Sequence, residues 1–224
     1  MARVVTNVLH FISTAILLLW GSQVAVYGQQ ASLGAGTTSI EKTIGVLTLN
    51  STGHKKNSQI RFFNKDGGLW YQYSFYEDAG TPSSTRADFK PFAFHPDYFL
   101  LVVKCVKRHV DRWEVVVNEA TGLTKFVRVE DRNLKFETWG DHILKLFAVN
   151  FDQAVNPVRT GPSNRRNSVH LADKMIYRPV QIRGRWLKIR AESPENEKLR
   201  SGIRTGWIKW RDAKDLLIEP FYFA

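Results

Sequence analysis

The residues best suited to acid–base or metal chemistry are the six histidines, His10, His54, His95, His109, His142 and His170, and they are scattered along the chain. None falls in the close spacing that aims two imidazoles at one zinc ion. Each reads as a surface or hydrogen-bonded side chain. His95, Asp97 and His142 form the one set that would serve a hydrolase, if the fold united them in a pocket with a perturbed imidazole. Asp111, Glu114, Glu119, Glu130, Asp131 and Glu137 could supply paired carboxylates, but their basic neighbours on strands and loops make solvated charge the ordinary reading. There is no Gly-x-Ser-x-Gly elbow, no phosphate loop and no dinucleotide fingerprint. The single cysteine, Cys105, sits in Leu101-Val102-Val103-Lys104-Cys105-Val106, the setting of a small buried hydrophobe with no base in register. The expectation is therefore no catalytic residue, no metal and no cofactor, and a protein that binds rather than catalyses.

Charge and address narrow what it could bind. The 224 residues carry a formal charge of +11 and a pI near 9.8, which favours nucleic acid, anionic lipid or acidic wall polymers. Arg3, the apolar run Phe11 to Trp20, and small residues at Val26-Tyr27-Gly28 read as an export signal over residues 1–28, cleaved after Gly28. The competing reading retains Val8 to Tyr27 as a membrane anchor, since about 20 apolar residues span a bilayer. His10, Ser13, Thr14, Ser22 and Gln23 weigh against it. An exported protein rarely meets nucleic acid, so the partners expected are a peptide, peptidoglycan or an envelope protein, with membrane only if the amino-terminal segment stays. One cysteine allows no internal disulfide, which points to a periplasmic or secreted bacterial protein held by core packing.

The elements that must position any site are mostly strands. Residues 29–39 are small and polar, a flexible lead-in. Residues 40–155 read as a β-rich domain opening on an amino-terminal β-hairpin region. Gln59 to Phe63 and Leu69 to Tyr76 should pair across Asn64-Lys65-Asp66-Gly67-Gly68, which supplies the positive-φ residues of a tight turn. Tyr98 to Val110 is the most apolar strand, with Trp113–Val117 and Lys125–Val129 as antiparallel partners. One helix is expected at about 139–148: Thr138 and Asp141 resemble a capping box, and Trp139, Ile143, Leu146 and Phe147 form an apolar stripe. Residues 156–169, rich in turn formers around Asn156-Pro157 and Gly161-Pro162, read as a linker.

A pattern is then written twice. Its clear copy is Tyr177-Arg178-Pro179-Val180-Gln181-Ile182, the turn Arg183-Gly184-Arg185, Trp186-Leu187-Lys188-Ile189-Arg190, a polar loop, and Gly206-Trp207-Ile208-Lys209-Trp210. Its weak copy is Trp113-Glu114-Val115-Val116-Val117, a loop with Gly122, and Lys125-Phe126-Val127-Arg128-Val129. Residues 170–224 thereby resemble a bacterial SH3-like domain, a small barrel often appended to cell-wall enzymes, and the first copy a degenerate version of it. The whole chain also resembles a group of exported bacterial proteins, of Bacteroidetes type, with an aspartate-tyrosine strand, an asparagine-glutamate loop and a tryptophan-led helix; that likeness implies no activity. The fold class expected is mainly β: a carboxy-terminal SH3-like barrel, a degenerate SH3-like unit plus one helix, and the hairpin region. The resemblance implies recognition of a short extended ligand along an aromatic groove of Tyr177, Trp207 and Trp210, rimmed by Arg183 and Arg185. That basic rim disfavours polyproline and suits carboxylate-bearing wall peptides. Trp186 or Trp207 could equally fill the barrel. One member of each pair, Trp210 with Ile208 and Trp186 with Leu187, is expected to face out. Besides the noncatalytic envelope-binding role, a hydrolase between the halves and a purely structural interaction module stay open.

Overall fold

The computed structural model describes residues 39–50, 59–74, 86–171, 175–193 and 204–223, all within one unit, Leu33–Ala224. The expected signal segment, most of the lead-in, residues 75–85 and the loop 194–203 lie outside the described residues. Among the described residues, no helix is long and apolar enough to cross a membrane.

The protein is mainly β; the described residues form two antiparallel sheets, one short α-helix and a single 3-10 turn at Pro96–Tyr98. The strands are β1 (Gly45–Leu49), β2 (Gln59–Phe63), β3 (Leu69–Ser74), β4 (Ala93–His95), β5 (Leu100–Arg108), β6 (Arg112–Asn118), β7 (Leu123–Arg128) and β8 (Leu134–Glu137). After helix α1 (Trp139–Ile143) come β9 (Ala148–Asn150), β10 (Ile176–Arg183), β11 (Trp186–Glu192), β12 (Thr205–Lys209) and β13 (Glu219–Phe221). The first sheet runs β3-β2-β7-β6-β5-β1-β8, with β4 also paired on β5; the second runs β12-β11-β10-β9-β13.

Local chemistry accounts for the parts that sequence anticipates. Gly67 takes φ 89° in the β2–β3 turn, where Asn64 N–H donates to Gly68 C=O at 2.8 Å. The two tryptophan-led patterns become two meanders, β5-β6-β7 and β10-β11-β12, and in each an arginine of the first strand faces the tryptophan: Arg108 opposite Trp113, Arg183 opposite Trp186. Thr138 caps α1, its hydroxyl accepting from Asp141 N–H at 3.2 Å. The helix stops at Ile143, well short of residue 148, because Ala148–Asn150 is drawn into β9 between β10 and β13.

The carboxy-terminal region does not close into a barrel. Its sheet is open, and it takes β9 from before the expected linker, where β13 pairs with β9 instead of returning to β12. The expected linker is itself packed against β12. Asn156 Nδ2 donates to the carbonyls of Lys209 at 2.7 Å and Leu217 at 3.3 Å, and Lys209 N–H returns a bond to Asn156 Oδ1 at 3.0 Å. Arg159 and Trp207 exchange both backbone hydrogen bonds at 2.8 Å. Val158, 1% exposed, lies so close to the Gly206 Cα that no side chain fits between them. The glycine before Trp207 is thus a packing requirement: it lets the 156–169 segment cover the edge of β12.

Two apolar cores share the first sheet. On one face, Leu47, Leu49, Leu101 and Val103 pack with Ile60, Phe62, Tyr71, Val115, Val117 and Val127. On the other, Val46 and Val102 join Trp139 and Ile143 of α1 and Leu187, Ile189, Ile208, Trp210 and Ile218 of the second region. The central strands β1 and β5 are covered on both faces, which explains why all of β1 and Leu101 to Cys105 of β5 are buried. Lys104, in the middle of β5, is kept ionically paired by Glu119 and donates to Ser39 C=O at 2.9 Å. Glu119, expected as solvated charge, is instead buried, and that burial raises its pKa against the pull of Lys104.

Gly206→Ala should lose about 1–3 kcal/mol, the usual cost of overpacking, measured by urea unfolding. Adding Val158→Ala should restore part of that loss, whereas additive losses would show that the two residues do not compete for the same space.

Candidate ligand-binding surface

Strand alternation divides the second sheet into an inner and an outer face. Pairing of Ile182 with Leu187 and of Leu187 with Ile208 defines the inner face; pairing of Arg183 with Trp186, Trp186 with Lys209, and Lys188 with Trp207 defines the outer one. The five residues expected to bind ligand distribute unequally over these faces.

Trp210 and Ile208 stand two residues apart on the same face and are both buried, so neither turns outward; Trp210 is 4% exposed. The period-2 rule that was expected to expose one of them in fact places them together. Trp210 Nε1 donates to Gly184 C=O at 2.9 Å and its backbone N–H to Arg185 C=O at 3.1 Å. It therefore anchors the turn that carries Arg183 and Arg185, both of which are exposed. Tyr177 lies at the far end of β10, about 20 Å from Arg183 by strand rise, on the inner face and 7% exposed. Its ring tilts against Phe151, and its hydroxyl accepts from Gln153 Nε2 at 3.2 Å.

Trp207 is on the outer face but only 7% exposed, with the Arg183 guanidinium 5.4 Å from its ring centroid. Trp186, its neighbour on that face, is half-buried as expected with Leu187 inside, and Lys209 Nζ stands 5.7 Å from its ring. Four of the five expected residues, Arg183, Arg185, Trp207 and Trp210, thus gather at one end of the sheet, and Tyr177 does not. Lys188 and Lys209 belong to the same face and are not among the five residues expected to bind. Their signal was the alternation itself, which puts Arg183, Trp186, Lys188 and Arg190 on one side.

Charge on this face is unevenly compensated. Glu192 accepts from Arg178 Nε and from Arg190 at 2.7 Å each, and the Arg178 bond, then the Arg190 bond, hold its carboxyl below the usual range. Among the described residues, Arg183, Lys188 and Lys209 have no carboxylate partner. An anion reaching the face would meet three cations beside two indoles.

The candidate hydrolytic set is differently arranged. His142 is buried with both ring nitrogens engaged: Nδ1 with Glu137 Oε2 at 3.1 Å and Nε2 with the Tyr222 hydroxyl at 3.2 Å. His95 packs edge-on to Phe223, 5.6 Å between ring centroids. The two histidines thus meet adjacent residues of the carboxy-terminal segment, while the Asp97 side chain lies outside the described residues. Burial alone would raise the Glu137 carboxyl, but hydrogen bonds from His142, Lys145 and Lys135 outweigh it and hold the group far below its ordinary 4.5. Tyr222 is pushed up by burial and then by the Glu137 charge, so it stays a neutral phenol. Glu137, expected as solvated, is a buried anion whose partners clamp α1 to the segment after β13. Cys105 is fully buried, and burial pushes its thiol up to about 12, so it carries no thiolate at neutral pH.

No protein-family model, no curated protein and no solved structure matches this chain.

Because the folded-state pKa of Glu137 is depressed, its stabilisation is fully present above 4.5 and is lost as pH falls below that value. Glu137→Gln should therefore flatten the acid limb of stability against pH in chemical denaturation, with Tyr222→Phe costing about 1 kcal/mol at neutral pH. An unchanged acid limb in Glu137→Gln would contradict the clamp.

Proposed function

We propose that this chain is a noncatalytic binding module of the cell envelope that recognises an anionic, extended ligand, a peptide or wall-derived stem, on the outer face of β10–β12. The observation that carries this reading is the set of cations without a carboxylate partner among the described residues, Arg183, Lys188 and Lys209, arrayed beside Trp186 and Trp207. Carboxylates bound there would gain charge-assisted hydrogen bonds, and an indole edge would add rigid contact area. Arg183 and Arg185 contact the ligand in this reading. Trp207 packs within the surface itself, Trp210 positions it from beneath, and Tyr177 supports β10 from inside. The export signal read in residues 1–28 and the formal charge of +11 support an extracytoplasmic, acidic partner.

A second reading, a structural module that docks on another envelope protein, is favoured by one observation: Tyr177, Trp207 and Trp210 are all nearly buried, leaving Trp186 as the main exposed indole of the group. Sedimentation with purified peptidoglycan separates the two. Wild type should co-sediment, and Arg183→Glu with Lys188→Glu should reduce retention at least tenfold, about 1.4 kcal/mol or more, without altering the unfolding midpoint. Equal and poor sedimentation of wild type and the double variant would reject wall binding and leave the docking role.

A further inference from the structure

A second cationic site lies away from that face, on the first sheet, and its chemistry points to a different ligand group. Phe63 of β2 and Phe126 of β7 are register partners and form an aromatic floor. Two guanidiniums lie on it: Arg112 at 4.5 Å from the Phe126 centroid and Arg128 at 5.1 Å from that of Phe63. Arg112 and Arg128 are themselves directly opposite across the β6–β7 ladder. Like charges in that position destabilise a sheet unless something neutralises them. Arg128 has Glu130 at 3.4 Å, whereas Arg112 has no carboxylate partner among the described residues and donates only to Lys65 C=O, at 3.2 Å.

The neighbouring β5–β6 turn adds to the charge. Lys107, Arg108, His109, Val110, Asp111 and Arg112 line an open concavity. Of these residues, Arg112 Nε and His109 Nε2 are shielded from water and lack a hydrogen-bond partner among the described residues. A shielded donor left unmet costs about 1–3 kcal/mol, so a small swing of the Arg112 side chain toward an arriving acceptor would be favourable. The acids nearby are largely occupied: Glu114 accepts from the Thr124 hydroxyl at 3.0 Å and lies 3.6 Å from His109, and Glu130 pairs with Arg128, leaving Asp111 exposed. Arg108 is stacked on Trp113 at 5.1 Å, which fixes a further cation on the rim.

We propose that the corner formed by Arg112, Arg128 and the 107–111 turn binds a tetrahedral oxyanion, the phosphate group of a larger ligand. Both guanidiniums lie over phenylalanine rings, Arg112 over Phe126 and Arg128 over Phe63, and a guanidinium can grip an oxyanion through paired hydrogen bonds. A phosphate carries up to two charges, which suits this excess of cations better than a single carboxylate would. Binding would relieve the Arg112–Arg128 repulsion that the sheet otherwise sustains.

The test is a titration of the full chain with inorganic phosphate, followed by amide NMR shifts, against chloride at matched ionic strength. A parallel arm uses phosphatidylcholine vesicles with and without phosphatidate. Saturable shifts in residues 107–112 and 128 should appear with phosphate, and Arg128→Gln, at a side chain 63% exposed, should weaken them at least tenfold. Arg112→Lys should weaken them comparably, and Lys42→Gln, at an exposed residue elsewhere, should not. Response to phosphatidate vesicles alone, lost in Arg128→Gln, would assign the group to a lipid headgroup. A phosphate response no larger than chloride's together with no vesicle response, or responses indifferent to both arginine variants, would overturn the proposal.

Discussion

The rest of the structure depends on two central strands that are buried on both sides. In β1, Val46 faces one core and Leu47 the other; in β5, Val102 and Val103 divide in the same way. Each such side chain contributes about 1.5–3 kcal/mol on burial, and half of that contribution in these strands requires the second region to be in place. The inner face of β10–β12 is completed by α1, β1 and β5, not by its own closure. The halves of the chain therefore share one core rather than standing as separate units joined by a linker.

Edges and charges follow from that arrangement. An open sheet leaves strand edges that could pair with other chains. One edge of the second sheet is covered by the segment around Val158 and Arg159, which is possible because Gly206 presents no side chain. Two buried carboxylates, Glu119 and Glu137, tie distant parts together: the first holds Lys104 in the centre of β5, the second ties α1 to Tyr222 through His142. A buried ion pair is expensive to break by removing one partner. These two pairs therefore fix which segments meet.

Much of this was legible from the sequence, for physical reasons that differ by element. The β2–β3 hairpin was readable because Asn64 to Gly68 has little choice but a tight turn, and the tryptophan-led meanders were readable from period-2 alternation. That the carboxy-terminal sheet stays open was not, since it depends on β9, three residues that follow the apolar stripe of α1 and give no strand signal of their own. The segment after Asn156 looked like a linker because its turn formers were visible, while the bonds from its side chain to Lys209 and Leu217 bridge 53 and 61 residues. Burial of Glu119 was hidden for a similar reason: a carboxylate looks solvated until its lysine partner is known to point the same way. On the second sheet the basic turn was visible, but neither Trp210 nor Ile208 faces out as expected, since a spacing of two puts both on the inner face.

The central claim is that one core spans both regions, and it is tested most directly by producing residues 156–224 alone and recording circular dichroism and thermal unfolding. Without Val46, Val102, Trp139 and Ile143 to cover the inner face, the apolar burial lost is comparable with the whole stability of an ordinary domain, about 5–15 kcal/mol. The account predicts no cooperative transition and no dispersed tryptophan signals. A fragment that unfolds cooperatively with native-like dispersion would contradict it and restore an autonomous carboxy-terminal domain.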